Sequence, residues 1–534
     1  MARRPWRTRV LSLGLLAALA SCGVALAAAT RSKSPAATEA DHTETPIRYL
    51  VVIFQENVSF DHYFATYPVA LNPPGDPAFH AASGTPGVNG LTEVLRTHNG
   101  NAAQPFRLGR DRAATCDQDH EYTDEQRAYN GGLVDRFVPE GHGTEATQYG
   151  KTVCHPEDVM GYFDGNTVTA LWNYAQHFAM SDNFYGTVFG PSTPGALSLV
   201  AGNTHRATGY CTRPRAGTDC KATDTTLETE GSPDIIDNTI IGDPQPEFDD
   251  CSQRATASME GPNIGVLLNA HAVTWGFFQG GFRPTAQDGG KPVCGQAHVG
   301  AHGVSFPDYI PHHEPFQYYR TTANPHHLEP ERPDLIGESD RANHQYDLSD
   351  FWAAATLHHL PSVSILKAPA YQDGHAGYSD PLTEQRYLVE TVNRLERLPE
   401  FRHMAIIIAY DDSDGWYDHV MPPIVRRSAT PADALSGPGM CGRPTSRDIP
   451  GRCGLGPRLP LLVISPYARR NYVDHTVIEQ ASILRFIEDN WQLGRLGGGS
   501  ADLDSESLLT LFDFDNGGTT PPLLLDPATG QPTK

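Results

Sequence analysis

A chain of 534 residues that is 39% hydrophobic can bury one large core or two ordinary ones, which sets it apart from disordered and fibrous chains. Its 63 acidic against 40 basic side chains leave a formal charge of −23, which repels nucleic acid and anionic membrane surfaces, so no nucleic-acid partner is expected. The 23 histidines would cancel most of that charge in mildly acidic surroundings, so the exclusion holds for neutral pH.

Residues 1–27 read as an export signal: Arg3, Arg4, Arg7 and Arg9 precede an apolar run from Val10 to Ala20 that is too short for a permanent membrane span. Two cleavage points compete. One follows Ala25-Leu26-Ala27 and gives a secreted or periplasmic protein. The other precedes Cys22 in Leu19-Ala20-Ser21-Cys22, which resembles a bacterial lipoprotein signal and would anchor the chain to the cell envelope through lipid. Membrane contact is expected through that anchor alone. Residues 28–46 are polar and Pro/Ala/Thr-rich, as a linker is.

The main domain is expected over residues 47–495. Ile47 to Phe54 is a nearly continuous β-branched and aromatic run, which suits a strand covered on both faces, and Met404 to Tyr410 and Leu459 to Ser465 repeat the signature. Helical periodicity falls at Thr167 to Met180, Thr383 to Leu398 and Val477 to Trp491. Strands alternating with helices predict a layered α/β domain. An insertion at about 207–262 is polar and Cys/Asp/Thr-rich, Gly437 to Gly456 is similar, and residues 496–534 form a tail whose last part drapes over the surface or is disordered. Setting Cys22 aside leaves eight of the nine cysteines: Cys116, Cys154, Cys211, Cys220, Cys251, Cys294, Cys441 and Cys453. An even set in an exported chain predicts disulfides, with no pairing assigned.

The chemistry concentrates where strands end. The run ending at Phe54 leads into Gln55-Glu56-Asn57, and the run ending at Tyr410 leads into Asp411-Asp412. Ligands of α/β sheets bind beyond the carboxyl ends of strands. Three carboxylates and an amide carbonyl make an all-oxygen set for one hard divalent cation, with Ca2+ or Mg2+ favoured. A Gly/Pro-bracketed turn, Gly190-Pro191-Ser192-Thr193-Pro194-Gly195, offers Ser192 as a nucleophile that a cation would activate. It is not the lipase elbow, because Pro191 and Pro194 replace its spacing. His120, His312, His313 and His375 can grip phosphoryl oxygens and protonate a leaving group when charged, which predicts an acidic optimum.

These segments resemble a known family, the bacterial phosphoesterases that include secreted phospholipases C and acid phosphatase A, distant relatives of alkaline phosphatase. The resemblance rests on Glu56-Asn57-Val58-Ser59-Phe60-Asp61-His62-Tyr63-Phe64, on Asn130-Gly131-Gly132-Leu133-Val134-Asp135-Arg136-Phe137, on Gly190-Pro191-Ser192, and on Asp411-Asp412-Ser413-Asp414-Gly415-Trp416-Tyr417-Asp418-His419-Val420. His312-His313-Glu314-Pro315-Phe316-Gln317-Tyr318-Tyr319 resembles the acid phosphatase A branch. The resemblance implies a three-layer sandwich with a mostly parallel central sheet and disulfide-tied loop insertions. It implies metal ligation by Glu56, Asn57, Ser192, Asp411 and Asp412, nucleophilic attack by Ser192, and a phosphate pocket lined by His120, His312, His313 and His375. The expected activity is hydrolysis of phosphate monoesters through a phosphoserine. The alternatives are a phospholipase C that releases phosphorylated head groups and a catalytically silent surface lipoprotein that binds an anionic ligand. Two departures stand out: Thr193-Pro194-Gly195-Ala196 follows the nucleophile where many phospholipases carry Pro-Asn-Arg, and Asp411-Asp412-Ser413-Asp414 stands where Asp-Glu-Asn is usual.

Overall fold

Long β-branched runs become strands wherever both of their faces can be covered, and here they assemble into one sheet. The computed structural model describes residues 43–141, 148–149, 152–210, 227–229 and 232–533. The expected export signal, most of the expected linker, Cys211 and Cys220 lie outside the described residues. The nine strands are β1 (Tyr49–Gln55), β2 (Ala179–Tyr185), β3 (Trp275–Gln279), β4 (Gln345–Asp347), β5 (Val363–Lys367), β6 (Met404–Tyr410), β7 (Arg458–Ile464), β8 (Tyr472–Asp474) and β9 (Ile478–Glu479). They run in the order β4-β3-β5-β1-β6-β7-β2-β8, with β9 also pairing β2. Strands β4 through β6 are parallel, and β7 is antiparallel to both β6 and β2. Every residue of β6 and β7 is buried, as is all of β1 after Tyr49. Fully covered strands need no polar face, so their sequences run continuously apolar.

The helices that bear on the site are α1 (Phe60–Phe64), α2 (Thr169–His177), α3 (Ser192–Ala201), α4 (Leu348–Thr356), α5 (Pro381–Glu396) and α6 (Gln480–Asn490). Helix α5 starts two residues before the expected Thr383, because Asp380 caps the amides of Leu382 and Thr383 and Pro381 fits the first helical position. The expected helix over Thr167 to Met180 stops at His177, since Ala179 already belongs to β2. Helix α3 is buried along all of its residues and has no solvent face. Among the described residues no helix is long and apolar enough to cross a membrane.

Among the described residues three disulfides tie the excursions: Cys116–Cys154, Cys251–Cys294 and Cys441–Cys453. The insertion is closed at its base by Ala207–Tyr210 pairing antiparallel with Thr256–Met259. The tail is draped and held: Leu525 is buried, its amide donates to Asn393 Oδ1 at 3.0 Å, and its carbonyl accepts from Asn393 Nδ2 at 2.7 Å.

Beneath the carboxyl ends of β1 and β6 lies a buried ionic network. Arg458, fully buried at the start of β7, reaches Asp61 Oδ1 at 3.2 Å and Asp418 Oδ2 at 3.0 Å, and donates to the carbonyls of Asn89 and Asp182. His419 donates its amide and presents Nδ1 to Asp61 Oδ2, at 2.9 and 2.6 Å. Asp61 follows the β1 loop and Asp418 the β6 loop, so one guanidinium clasps both. Arg458→Met leaves the buried Asp418 without its cation and Asp61 with His419 alone, and should cost about 3–5 kcal/mol in urea unfolding; a variant as stable as wild type would show that the clasp does not hold the loops. Burial opposes charge on His419, but the Asp61 carboxylate overrides it and raises the pKa above the ordinary value. That stabilisation is full below the unfolded pKa of ~6.5 and is lost as pH rises through the raised folded pKa. Unfolding free energy should therefore fall over that range in wild type, and His419→Gln should flatten the slope.

Candidate active site

Gln55 pairs with Tyr410 across β1 and β6, so the residues that follow each strand emerge side by side. Asn57 sits in the left-handed region at φ 54°, which an asparagine tolerates better than most residues. Its amide donates to Asp411 Oδ1 at 3.1 Å, and the amide of Val58 donates to the Asp412 carbonyl at 2.9 Å. Helix α3 closes on this pair of loops. A Cβ at Gly195 would lie 2.2 Å from the Asp411 carbonyl oxygen, so only glycine lets the first turn of α3 approach so near. From α6, Gln480 Nε2 donates to the same carbonyl at 2.5 Å.

Ser192, the first residue of α3, is thereby set among acceptors. Its Oγ lies 3.0 Å from Asp412 Oδ2, 3.2 Å from Glu56 Oε2 and 3.5 Å from Asn57 Oδ1. A hydroxyl carries one proton and can satisfy one of the three. Four converging oxygens with a single proton among them fit a hard divalent cation, and Glu56, Asn57, Asp412 and Ser192 are the residues that would hold it. Asp411 stands differently from its three partners: Oδ1 accepts from the amides of Asn57 and Asp412, and Oδ2 lies 3.2 Å from Lys367 Nζ.

Burial pushes Glu56 up to about 7 against the pull of Lys367, and Asp412 up to about 8 against that of His120. Burial also holds Asp411 well above the carboxylate range, and the neighbouring Glu56 adds to it. Carboxylates in this state resist being charged together unless a cation joins them. One such cation is already present. Lys367 ends β5 beside β1, is buried, and forms ion pairs with Glu56 and Asp411. It was not singled out from sequence. A lysine closing the apolar run Val363-Ser364-Ile365-Leu366 was the available signal, since a strand covered on both faces has no place for an unpaired ammonium.

The four histidines surround the same space in different charge states. His313 Nδ1 lies 3.1 Å from Glu56 Oε1, and burial together with Lys367 lowers its pKa well below the ordinary value. His312 faces Asp243 at 3.8 Å, and burial lowers it to about 3. His375 is lowered by burial too. His120 is the exception: Asp412 and Asp414 overcome the burial penalty and raise its pKa well above the ordinary value. Its Nε2 is 3.3 Å from Asn57 Nδ2, and its ring lies 6.0 Å from that of His375. Burial thus holds His312, His313 and His375 toward their neutral forms, whereas the expected acidic optimum rests on their charged forms. Their burial penalty exceeds the attraction of the acids they face.

A family model described as the phosphoesterase family matches residues 47–494. The chain belongs to the phosphoesterase family. It is 24% identical over 464 residues to a non-hemolytic phospholipase C of Pseudomonas aeruginosa, covering 83% of this chain and 54% of that one. With phospholipase C A of Mycobacterium tuberculosis the identity is 25% over 494 residues, 91% of this chain and 80% of that one. A shorter stretch of 139 residues, a quarter of this chain, is 30% identical to non-specific phospholipase C1 of Arabidopsis thaliana. The chain thus spans about half the length of the Pseudomonas relative and four-fifths of the mycobacterial one. Their names lend no support to the acid phosphatase A branch over the phospholipases.

Lys367→Met should destabilise the fold by about 3–5 kcal/mol when measured by urea unfolding in chelator, since it strips two buried carboxylates of their ammonium. Added divalent cation should recover part of that loss. Equal stability of variant and wild type in chelator would show that Lys367 is not needed for neutralisation.

Proposed function

We propose that the chain is a metal-dependent hydrolase of phosphate esters in which Ser192 is the nucleophile. The convergence of three acceptor oxygens on Ser192 Oγ carries this reading, in a chain of the phosphoesterase family. The three-layer, alkaline phosphatase-like arrangement of the domain belongs to the same proposal. Glu56, Asn57, Asp412 and Ser192, with Asp411 behind them, would hold a divalent cation, which would supply positive charge for the Ser192 oxygen and the phosphoryl oxygens.

The chain's own groups do the rest. Asp412 Oδ2, the nearest acceptor at 3.0 Å, takes the Ser192 proton as Oγ forms its bond to phosphorus and the leaving oxygen departs. Water then attacks the phosphoserine and its protons leave with the released phosphate, while Asp412 gives its proton back to Oγ as the P–Oγ bond breaks. His120, charged in its acidic surroundings, serves as donor to a phosphoryl oxygen or to the leaving group. His312, His313 and His375 wall the pocket as neutral rings. Lys367 holds Glu56 and Asp411 in place from below.

Two ester classes remain open to this chemistry. The segment His312 to Tyr319 favours monoesters through its resemblance to acid phosphatase A. The names of the relatives favour a phospholipase C that cleaves a phosphodiester head group. Export, with or without a lipid anchor at Cys22, is the proposed setting, and three disulfides suit an oxidising compartment.

Ser192→Ala should lower phosphate release from p-nitrophenyl phosphate by on the order of 10³-fold or more, and chelation should abolish the wild-type rate until cation is restored. Release of phosphocholine from phosphatidylcholine in the same assay assigns the ester class. Wild-type rates no higher than those of the variant on both substrates would leave the silent binding protein as the reading.

A further inference from the structure

Apart from the loops that hold Ser192, a charged imidazole is packed against a disulfide. The His327 side chain is fully buried, and both of its ring nitrogens face an acceptor: Nε2 lies 2.8 Å from Asp249 Oδ1, and Nδ1 lies 2.8 Å from the Phe282 carbonyl. A neutral imidazole has one N–H, so two acceptors at that range call for the doubly protonated ring. Asp249 is its counter-ion. Oδ1 of that carboxylate also accepts from the Cys251 amide at 2.7 Å, and Oδ2 accepts from the Tyr309 hydroxyl. Burial opposes charge on His327, but Asp249 overrides it and raises the pKa above the ordinary value, with Asp250 adding to the effect. Asp250 itself is paired with His326 at 2.7 Å and Lys291 at 3.5 Å. Burial, reinforced by Asp249, holds the nearby Glu314 well above the carboxylate range. Phe282 stacks on the imidazole at 4.1 Å and Tyr309 meets it edge-on at 5.1 Å, which fixes the ring in place.

The Cys251–Cys294 bridge closes over this ring. Nδ1 lies 3.6 Å from Cys294 Sγ, and both sulfurs are within 4.8 Å of a His327 nitrogen. Of the three described bridges it is the one with an imidazole nitrogen that near to both sulfurs. Its two ends differ in access. Cys251 is buried, whereas Cys294 is half-buried between exposed Val293 and Gly295, at the end of the hairpin formed by Ala286–Asp288 and Lys291–Val293. Cys441 and Cys453, by contrast, are fully buried at both ends of their bridge. A fixed positive charge beside sulfur favours thiolate over thiol, and a disulfide exchanges faster when its leaving sulfur is stabilised in that way.

We propose that Cys251–Cys294 is an exchangeable bridge, opened at Cys294 by a dithiol, and that the freed Cys294 is a nucleophilic thiolate held by His327. The attacking thiolate bonds to Cys294 Sγ as the S–S bond breaks, and the electron pair leaves on Cys251 Sγ, which takes up a proton from solvent. The second sulfur of the dithiol then attacks the first and expels Cys294 as a thiolate beside the Nδ1–H of His327. Two electrons pass from the dithiol to the bridge. Of the two protons the dithiol gives up, one is balanced by the proton on Cys251 and the other stays in solvent. Cys294 is then open to a disulfide, which can re-form the bridge, or to a soft electrophile. The site does not depend on the reading of Ser192.

The full chain in native buffer is titrated with dithiothreitol, quenched with iodoacetamide, and the labelled cysteines are mapped by peptide mass spectrometry. Cys251 and Cys294 should become labelled at reductant concentrations that leave Cys116–Cys154 and Cys441–Cys453 closed. In the selectively opened protein, the rate of Cys294 alkylation should be half-maximal at or below pH ~7.5, against ~8.5 for an ordinary thiol. His327→Gln should move that midpoint back toward the ordinary value. Opening of Cys251–Cys294 no earlier than the other two bridges, or a Cys294 midpoint at the ordinary value, would each overturn the proposal. Both measurements on wild type decide even if the variant fails to fold.

Discussion

Everything at the carboxyl end of the sheet follows from one electrostatic constraint: carboxylates are gathered there, out of water, faster than the backbone alone can satisfy them. Glu56, Asp373, Asp411, Asp412 and Asp414 are all buried within two adjacent strand ends and the loop after β5. Each is pushed toward its neutral form by burial first and by its acidic neighbours next. Such a cluster persists only where cations are built in or bound. Lys367 is built in, paired with Glu56 and Asp411, and the oxygens around Ser192 mark where a bound cation fits; Arg458 plays the built-in part for Asp61 and Asp418 beneath.

The sheet makes the crowding possible because β1 and β6 are parallel neighbours in strict register, so their loops start at the same height. Parallel strands buried on both faces have no room for charged side chains along their length, and the polar residues are displaced to the ends. The loops are then fixed by contacts that tolerate little change: the guanidinium of Arg458 under both, the close approach of Gly195 to Asp411, and backbone amides that accept no alternative partner. Rigidity is what keeps several acids near one hydroxyl without collapse of the site.

The long apolar strands were legible in the sequence because covering on both faces leaves a continuous hydrophobic run, and Met404 to Tyr410 matches β6 at both ends. Glu56, Asn57 and Asp412 were legible as residues just past such runs and Ser192 as the hydroxyl of a Gly/Pro-bracketed turn, and the four lie together. Asp411 was legible as a position but not in its orientation, which depends on amides of the partner loop. Short or polar strands escaped: Ala179 and Met180, which open the strand Ala179–Tyr185, read as the end of a helix, and Trp275–Gln279 is too brief to carry a period. Lys367 escaped for a different reason, since its meaning lies in what β5 sits beside, and strand order is not written in local sequence. The charge states of His312, His313 and His375 escaped because burial, which depends on the whole fold, outweighs the acids that sequence shows nearby.

Those charge states bear on how the pocket can recognise an anion. Three neutral rings contribute shape and one hydrogen bond each, but no net charge, so the attraction for a phosphoryl group has to come from elsewhere. Lys367 cannot supply it, because its ammonium is consumed by Glu56 and Asp411. Arg254, the cation nearest to His312, donates to the Asp243 carbonyl at 2.7 Å and lies 3.4 Å from the ring, toward the exposed rim. What is left is His120, metal, or both, and each sits on the Asn57 side of Ser192. An anion drawn by that side would bring its phosphorus against Oγ from the direction of Asn57 and Asp412, where charged His120 can reach it. The asymmetry of charge around Ser192, more than the number of histidines, is therefore what would orient a substrate for attack.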